Sequence, residues 1–280
     1  MEEKYEVLKD VIDIHIHAAP DVFPRRLDEI EVVRQARSVG MGGVLLKSHH
    51  ALTSDRAWLI SKIESGIGVY GALVLNYPSA GGLNAEAVDT AIKLGAREIF
   101  MPTVSAANHL QHEGKDPAKG IKATTSKGEL RPEVFPILDL VAKADVILAT
   151  GHLSVSESEV LIDEASQKGV KKILVTHPEW RLIAMPVEVQ RRLVEKGAIM
   201  EHCLYATTQL GGSLNPEEIA KQIKSIGAEN CIMSTDFGQK VNPLPIDGMV
   251  SYIELMRKHG ISSEAIDVMT KENPKKILKA

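Results

Sequence analysis

The stretch VIDIHIH, residues 11–17, sets the reading of the whole chain. It is a short, nearly continuous apolar run with no clean alternation, as expected for a parallel strand covered on both faces. Seven runs of the same kind follow: GGVLLK (42–47), GVYGALVLN (68–76), EIFMPT (98–103), VILAT (146–150), KILVT (172–176), AIMEHCL (198–204) and CIMST (231–235). Between them, amphipathic stretches predict helices over 27–39, 54–65, 84–94, 132–143, 156–168, 186–196, 216–226 and 247–259. Several open on a start signal: Ser156 with Glu159 three residues on, Asn215-Pro216, and Asp55 after Ser54. Gly40, Gly66, Gly95, Gly169, Gly197, Gly227 and Gly260 each follow a helix end, where a left-handed residue turns the chain. The helix ending near Lys143 lacks such a glycine.

Eight strand–helix units of about 35 residues each match the size of a βα repeat. Right-handed crossovers arrange such units as an open doubly wound sheet or a closed barrel, and eight is the number at which the barrel closes. Two Rossmann-like halves would place a Gly-rich turn after the first strand, whereas this chain has HIHAAPDVFP. The expected fold is therefore a (β/α)8 TIM barrel in one domain, 1–280, with a long loop after strand 4. That loop, 104–131, is polar and Gly/Lys-rich without sustained periodicity, and is expected to be a lid or substrate loop over the catalytic face.

Composition narrows the function. The 280 residues are 44% hydrophobic and 25% charged, which excludes wholesale disorder. Net charge is −4 and no Lys/Arg run offers a phosphate-binding face, so no nucleic-acid partner is expected. Cys203 and Cys231 form no Cys-x-x-Cys pair, the start MEEKYEVLKD is polar and acidic, and no apolar stretch is long enough to span a bilayer. These features predict a cytoplasmic protein with no membrane partner, acting on a small molecule. A homo-oligomer is left open.

Ten histidines against 4% aromatics stand out. His15 and His17 lie two apart on strand 1, which puts both on one strand face, where a pair of imidazoles can hold one divalent ion. Alone the pair is a weak signal. His152 follows strand 5, His177 follows strand 6 and Asp236 follows strand 8. Barrel enzymes build their sites at these strand ends, so the three converge on the mouth that His15 and His17 face. Asp13 is read as out of phase with the two histidines, a structural residue pointing away from the mouth.

This constellation of Asp13-Ile14-His15-Ile16-His17, His152, His177 and Asp236 resembles the amidohydrolase superfamily of metal-dependent (β/α)8 enzymes. The closing Glu272-Asn273-Pro274-Lys275-Lys276-Ile277-Leu278 is similar to the Asn-Pro-x-x-(Leu/Ile)-Leu ending of many members. The resemblance implies that His15, His17, His152 and Asp236 are metal ligands. It also implies that Asp236 is the general base, and that His177 ligates a second metal or polarises the substrate. Strand 4, REIFMPTVS, starts with Glu98 but carries neither Lys nor Glu at its end, where two-metal members place a bridging ligand. A single-metal site follows, with Lys47 holding an anion or, less favoured, acting as a displaced bridging ligand. Three imidazoles and a carboxylate suit Zn²⁺ first, with Mn²⁺ or Fe²⁺ as alternatives.

A second tier is assigned to substrate: Lys47 and His49 after strand 2, His109 and His112 in the long loop, and Glu201 on strand 7, where only one of Glu201 and His202 can face the mouth. Glu179-Trp180-Arg181 is expected to wall the pocket, and His259 to sit as a cation at a helix C-terminus. The expected activity is hydrolysis of a small-molecule amide, lactone or ester by a metal-activated water. A non-oxidative decarboxylase and a non-catalytic metal- or metabolite-binding barrel are the alternatives.

Overall fold

The computed structural model describes residues 3–279; residues 1–2 and 280, included in the expected domain 1–280, lie outside them. Eight parallel strands form one sheet in the order in which the chain makes them. They are β1 (Ile12–His17), β2 (Gly43–Lys47), β3 (Gly68–Val74), β4 (Glu98–Phe100), β5 (Ile147–Ala149), β6 (Ile173–Thr176), β7 (Ala198–Cys203) and β8 (Cys231–Ser234). Around them run α1 (Glu29–Ser38), α2 (Ser54–Ile63), α3 (Tyr77–Ala80), α4 (Ala85–Lys93), α5 (Ala107–His112) and α6 (Val134–Ala144). The second half adds α7 (Val155–Gln167), α8 (Val187–Glu195), α9 (Pro216–Ile226), α10 (Pro245–Lys258), α11 (Ser263–Asp267) and α12 (Asn273–Leu278). The architecture is the expected TIM-like barrel, nearly closed. Among the described residues no helix is long and apolar enough to cross a membrane.

β8 returns to β1 through one parallel bridge, Ile16 with Phe237, in place of a full ladder. Around that bridge, Asp236 N–H donates to the His15 carbonyl at 2.9 Å and His17 N–H to the Phe237 carbonyl at 2.8 Å. Asp13 fastens the same seam from outside, its carboxylate accepting from Thr235 N–H at 3.2 Å and from the Thr235 hydroxyl at 2.5 Å. Asp13 is thus structural, but not for the reason of strand phase. Strict alternation would put residues 13, 15 and 17 on one face. A register shift between Asp13 and Ile16 adds one residue to β1. This bulge sends Ile12, Ile14, His15 and His17 inward and leaves Asp13 and Ile16 outward; bulges re-aim side chains in this way.

The barrel interior is an apolar cluster including Ile14, Leu45, Ala72, Phe100, Ile147, Leu174 and Ile232. Its floor is closed by Ile277 and Leu278 of α12, each burial worth roughly 1.5–3 kcal/mol. Asn273 holds that helix in place by donating to the Cys231 carbonyl at 2.7 Å at the start of β8. A larger outer layer of apolar residues lies between strands and helices.

Local signals are mostly where expected. The seven helix-end glycines all have positive φ, and the helix without one turns on Asp145, at φ 52°. The cap of α7 is displaced from expectation: Ser154 with Glu157, not Ser156 with Glu159, forms the capping box. α2 starts from Thr53 without a side-chain cap. Residues 104–131 are not structureless. They carry α5, a 3-10 turn at Pro117–Lys119 and two isolated bridges, Ala106 with Ile121 and Thr124 with Leu130. The segment is also pinned to α7 where Ala123 N–H donates to Glu157 at 2.9 Å.

Gly238 makes the seam possible. A Cβ there would lie 1.7 Å from the His17 carbonyl oxygen, at φ 135°. Gly238→Ala is expected to destabilise the chain by more than ~3 kcal/mol in denaturant unfolding. Gly66→Ala, at φ 84° with open space around it, is expected to cost only ~1–2 kcal/mol.

Candidate metal centre

The strand ends deliver the site. His15 and His17 rise from the bulged end of β1, Lys47 closes β2, and His152, His177 and Asp236 follow β5, β6 and β8. All are buried. His177 and Asp236 hold positive φ, 34° and 53°, a conformation that costs a non-glycine residue about 1–3 kcal/mol and gathers at functional positions. Before His152, Gly151 lets the chain press on β4; a Cβ there would meet the Met101 carbonyl oxygen at 2.5 Å.

Two groups have ligand atoms within 4.8 Å of one another, His15 with Glu201 and Cys203, and His15 with His17 and Asp236; only the second includes side chains that line the cavity. Asp236 Oδ1 sits 3.3 Å from His15 Nε2 and 3.2 Å from His17 Nε2. On the far side of its ring, His15 Nδ1 meets Glu201 Oε1 at 3.0 Å. A Glu201 oxygen accepting the Nδ1 proton leaves the Nε2 lone pair toward the mouth, where Lys47 donates to it; a carboxyl partner on Nδ1 is the usual support of a metal-bound imidazole. Glu201 therefore buttresses His15 from below and does not line the cavity. Its position differs from the substrate contact expected of it.

Burial dominates the electrostatics. It pushes His15 down to about 3 and holds His17, His49, His152 and His177 well below the ordinary imidazole value. These rings are neutral at pH 7, as metal ligands must be. Burial also raises the Asp236 carboxyl and lifts Glu201 to about 8.

The donor chemistry of His15, His17 and Asp236 fits a divalent ion. Beside them His177 has both ring nitrogens buried without a hydrogen-bond partner, its ring 6.1 Å from that of His15, so a polar group remains unmatched at this mouth. Two neighbours must adjust. Lys47 Nζ lies 2.8 Å from His15 Nε2, on the lone pair an ion would take. Arg25 Nη2 lies 3.2 Å from His17 Nδ1. A guanidinium only donates, so in this arrangement neutral His17 keeps its proton on Nε2, facing Asp236. Holding an ion through Nε2 would require that proton on Nδ1 and Arg25 turned from the ring.

The other expected residues divide. His152 stands on the same mouth but outside the tight group; its Nδ1 meets His109 Nδ1 at 2.8 Å. α5 thus places His109 against His152 without any loop closure, and His109 Nε2 continues to Glu113 at 3.3 Å. His112, on the same helix, is exposed and away from the cavity. His49 Nδ1 lies 2.8 Å from the Thr103 hydroxyl, which Asn76 also holds at 2.7 Å. His202 faces outward from β7 and pairs with Glu179 at 2.9 Å, so Glu179 braces β7 while Trp180 forms the wall. Sequence reading missed Asp21, Arg25 and Asn76. Asn76 ends strand 3 and was findable by the strand-end rule; Arg25 and Asp21 lie in an irregular loop with no periodic signal.

Above the cluster opens a cavity of about 520 Å³ lined by His17, Lys47, His49, His109, His152 and Asp236, with walls from Trp180 and Tyr205. Comparison with protein families matches residues 10–201, more than half of the chain, to one family. The chain belongs to DUF6282, a family of unknown function. The span of the DUF6282 match contains His15, His17, Lys47, His152, His177 and Glu201 and ends before Asp236. No curated protein sequence matches the chain.

Solved structures share the fold over nearly all of this chain. An amidohydrolase from Pseudomonas aeruginosa has a TM-score of 0.65 at 12% identity, over 99% of this chain and 97% of that one. An organophosphorus hydrolase mutant from Deinococcus radiodurans has 0.61 at 13%, over 98% and 94%. A 2,6-dihydroxybenzoate decarboxylase from Rhizobium has 0.58 at 13%, over 97% and 99%. At such identity the likeness establishes the fold alone.

Two measurements test the centre. Glu201→Gln is expected to weaken divalent-metal affinity about 10–100-fold in competition with a chelator. The second is pH dependence. Five imidazoles with depressed native pKa values take up protons on unfolding, so their contribution is present above pH 6.5 and falls as pH drops below it. Each accounts for up to ~1.4 kcal/mol per pH unit. Raised carboxyls such as Asp13 and Glu201 act in the opposite sense, so the rings are read directly. Imidazole NMR shifts of metal-free protein between pH 7 and pH 5.5 are expected to stay at their neutral values, and titration of these five rings in that window would contradict the assigned neutrality.

Proposed function

We propose that this protein is a metal-dependent hydrolase that uses an activated water on a small-molecule amide, lactone or ester. The observation that carries the reading is the convergence of His15 Nε2, His17 Nε2 and Asp236 Oδ1, with His17 and Asp236 lining the cavity, His15 just beneath them and Glu201 behind His15. His15, His17 and Asp236 would hold the ion, with His152 reaching it as a further ligand, and Zn²⁺ is the first choice for such imidazole and carboxylate donors. A divalent ion there supplies Lewis acidity and lowers the pKa of a water toward ~7.

The chain supplies the rest. Asp236 takes the proton of the attacking water and passes it to the leaving group, a role its burial-raised carboxyl suits. His177, with ring nitrogens committed to nothing else, offers an N–H to the developing oxyanion. Trp180 and Tyr205 wall the cavity and keep bulk water from the floor. A decarboxylase is the second reading, favoured by one observation: the Lys47 ammonium at the cavity floor beside His15, where a departing carboxylate can sit.

Purified protein is expected to bind about one equivalent of divalent metal per chain. His15→Ala should abolish that binding, and Asp236→Asn should lower turnover by about 10²–10⁴ on any substrate found. Full metal content and activity in His15→Ala would overturn the assignment. Release of CO2 in place of a hydrolysis product selects the decarboxylase, and metal binding without turnover across ester, lactone and amide panels selects a binding barrel.

A further inference from the structure

We propose that the cavity selects small carboxylic acids that carry an apolar tail, with the carboxylate on Lys47 and the tail along Phe23, Leu210 and Val241. The proposal rests on the reading of this cavity as the substrate site, and it adds the chemical class of the substrate.

Charge pairing carries the first half. Arg25 in the cavity wall is matched by Asp21, Nη2 to Oδ2 at 2.8 Å. Glu113 is matched by Lys115 at 2.6 Å and by His109. Asp236 sits between His15 and His17. Lys47 differs. Its side chain is 2% exposed, and among the described residues no carboxylate oxygen lies within 4 Å of its ammonium. It contacts the His15 ring nitrogen and the face of Phe100, 4.3 Å away. Asp236 and Glu201 act on this ammonium only from a distance; a buried ammonium with no anion in contact is costly, and an anion at the cavity floor lowers that cost. One ammonium matches one negative charge, which suits a carboxylate better than a phosphate dianion.

The rim carries the second half. Phe23, Leu210 and Val241 come from three separate loops, after β1, β7 and β8, yet all line the mouth of this cavity. They are 50%, 47% and 76% exposed, so the core does not account for them. Apolar side chains gathered at the mouth of a polar-floored pocket mark a ligand surface.

The test uses metal-free protein, so that no ion can serve as the partner of the anion. Trp58→Phe, an exposed site on α2, leaves Trp180 in the cavity wall as the sole tryptophan, excited selectively over the tyrosines. Hexanoate, acetate, hexylamine and 1-hexanol are titrated against Trp180 emission. Hexanoate is expected to saturate at least about tenfold tighter than acetate, and hexylamine not to saturate. Lys47→Met should remove the preference for hexanoate over hexanol, and Val241→Asp should weaken hexanoate while leaving acetate unchanged. The wild-type series stands without either variant. Equal binding of hexylamine and hexanoate overturns the anion assignment. Equal binding of acetate and hexanoate, or a change of oligomeric mass in Val241→Asp in place of a change in affinity, overturns the tail assignment. Metal stoichiometry and turnover are read separately, so failure here leaves the hydrolase reading standing, and the reverse holds as well.

Discussion

Everything at the mouth depends on how β8 closes against β1. Asp13 and Thr235, 222 residues apart, are clasped by two hydrogen bonds on the outside of the seam. One residue further along, on the inside, the backbone exchange between His15 and Asp236 brings their side chains together. The clasp and the candidate metal site are two faces of one join. Burial lifts the Asp13 carboxyl to about 7, so the clasp spends part of the stability that the apolar layers provide. Closure also explains Gly238, because only a residue without Cβ passes the His17 carbonyl there.

The bulge in β1 is the second constraint. A regular strand would present residues 13, 15 and 17 to the interior and hide the apolar 12, 14 and 16. The extra residue lets Ile12 and Ile14 fill the lower barrel while His15 and His17 face the mouth. The apolar interior holds one buried acid. Glu98 starts β4 on the same face as Phe100, level with Ala72 and Ile147, with both carboxyl oxygens unpartnered, and burial together with Glu201 pushes its pKa well above the usual range. A protonated Glu98 removes one of the charges that Lys47, Glu201 and Asp236 would otherwise crowd into one low-dielectric space.

How much was legible follows from the range of each interaction. Eight strands and eight major helices were readable because each rests on apolar periodicity and a turn residue within its own segment. The left-handed Asp145 shows the limit: it does a glycine's work, and residue type alone does not announce it. His15, His17, His152, His177 and Asp236 were findable because strand ends of a barrel face one mouth. The contacts of His152 with His109, and of Glu201 with the back of His15, were not, since they depend on which ring nitrogen points where. The helix α5 was missed because six residues of a polar loop carry too little periodicity to be recognised.

The amino-acid sequence by itself determined the count and order of the βα units, and with them the barrel and the set of strand ends that share a mouth. Those are consequences of local hydrophobic pattern and of the handedness of crossovers. Only the tertiary structure decided which polar groups meet within bonding distance, which are left unpaired, and which face the cavity. A one-residue bulge and a single bridge at the seam set those answers, and side-chain contacts a few ångströms long leave no periodic trace in the chain.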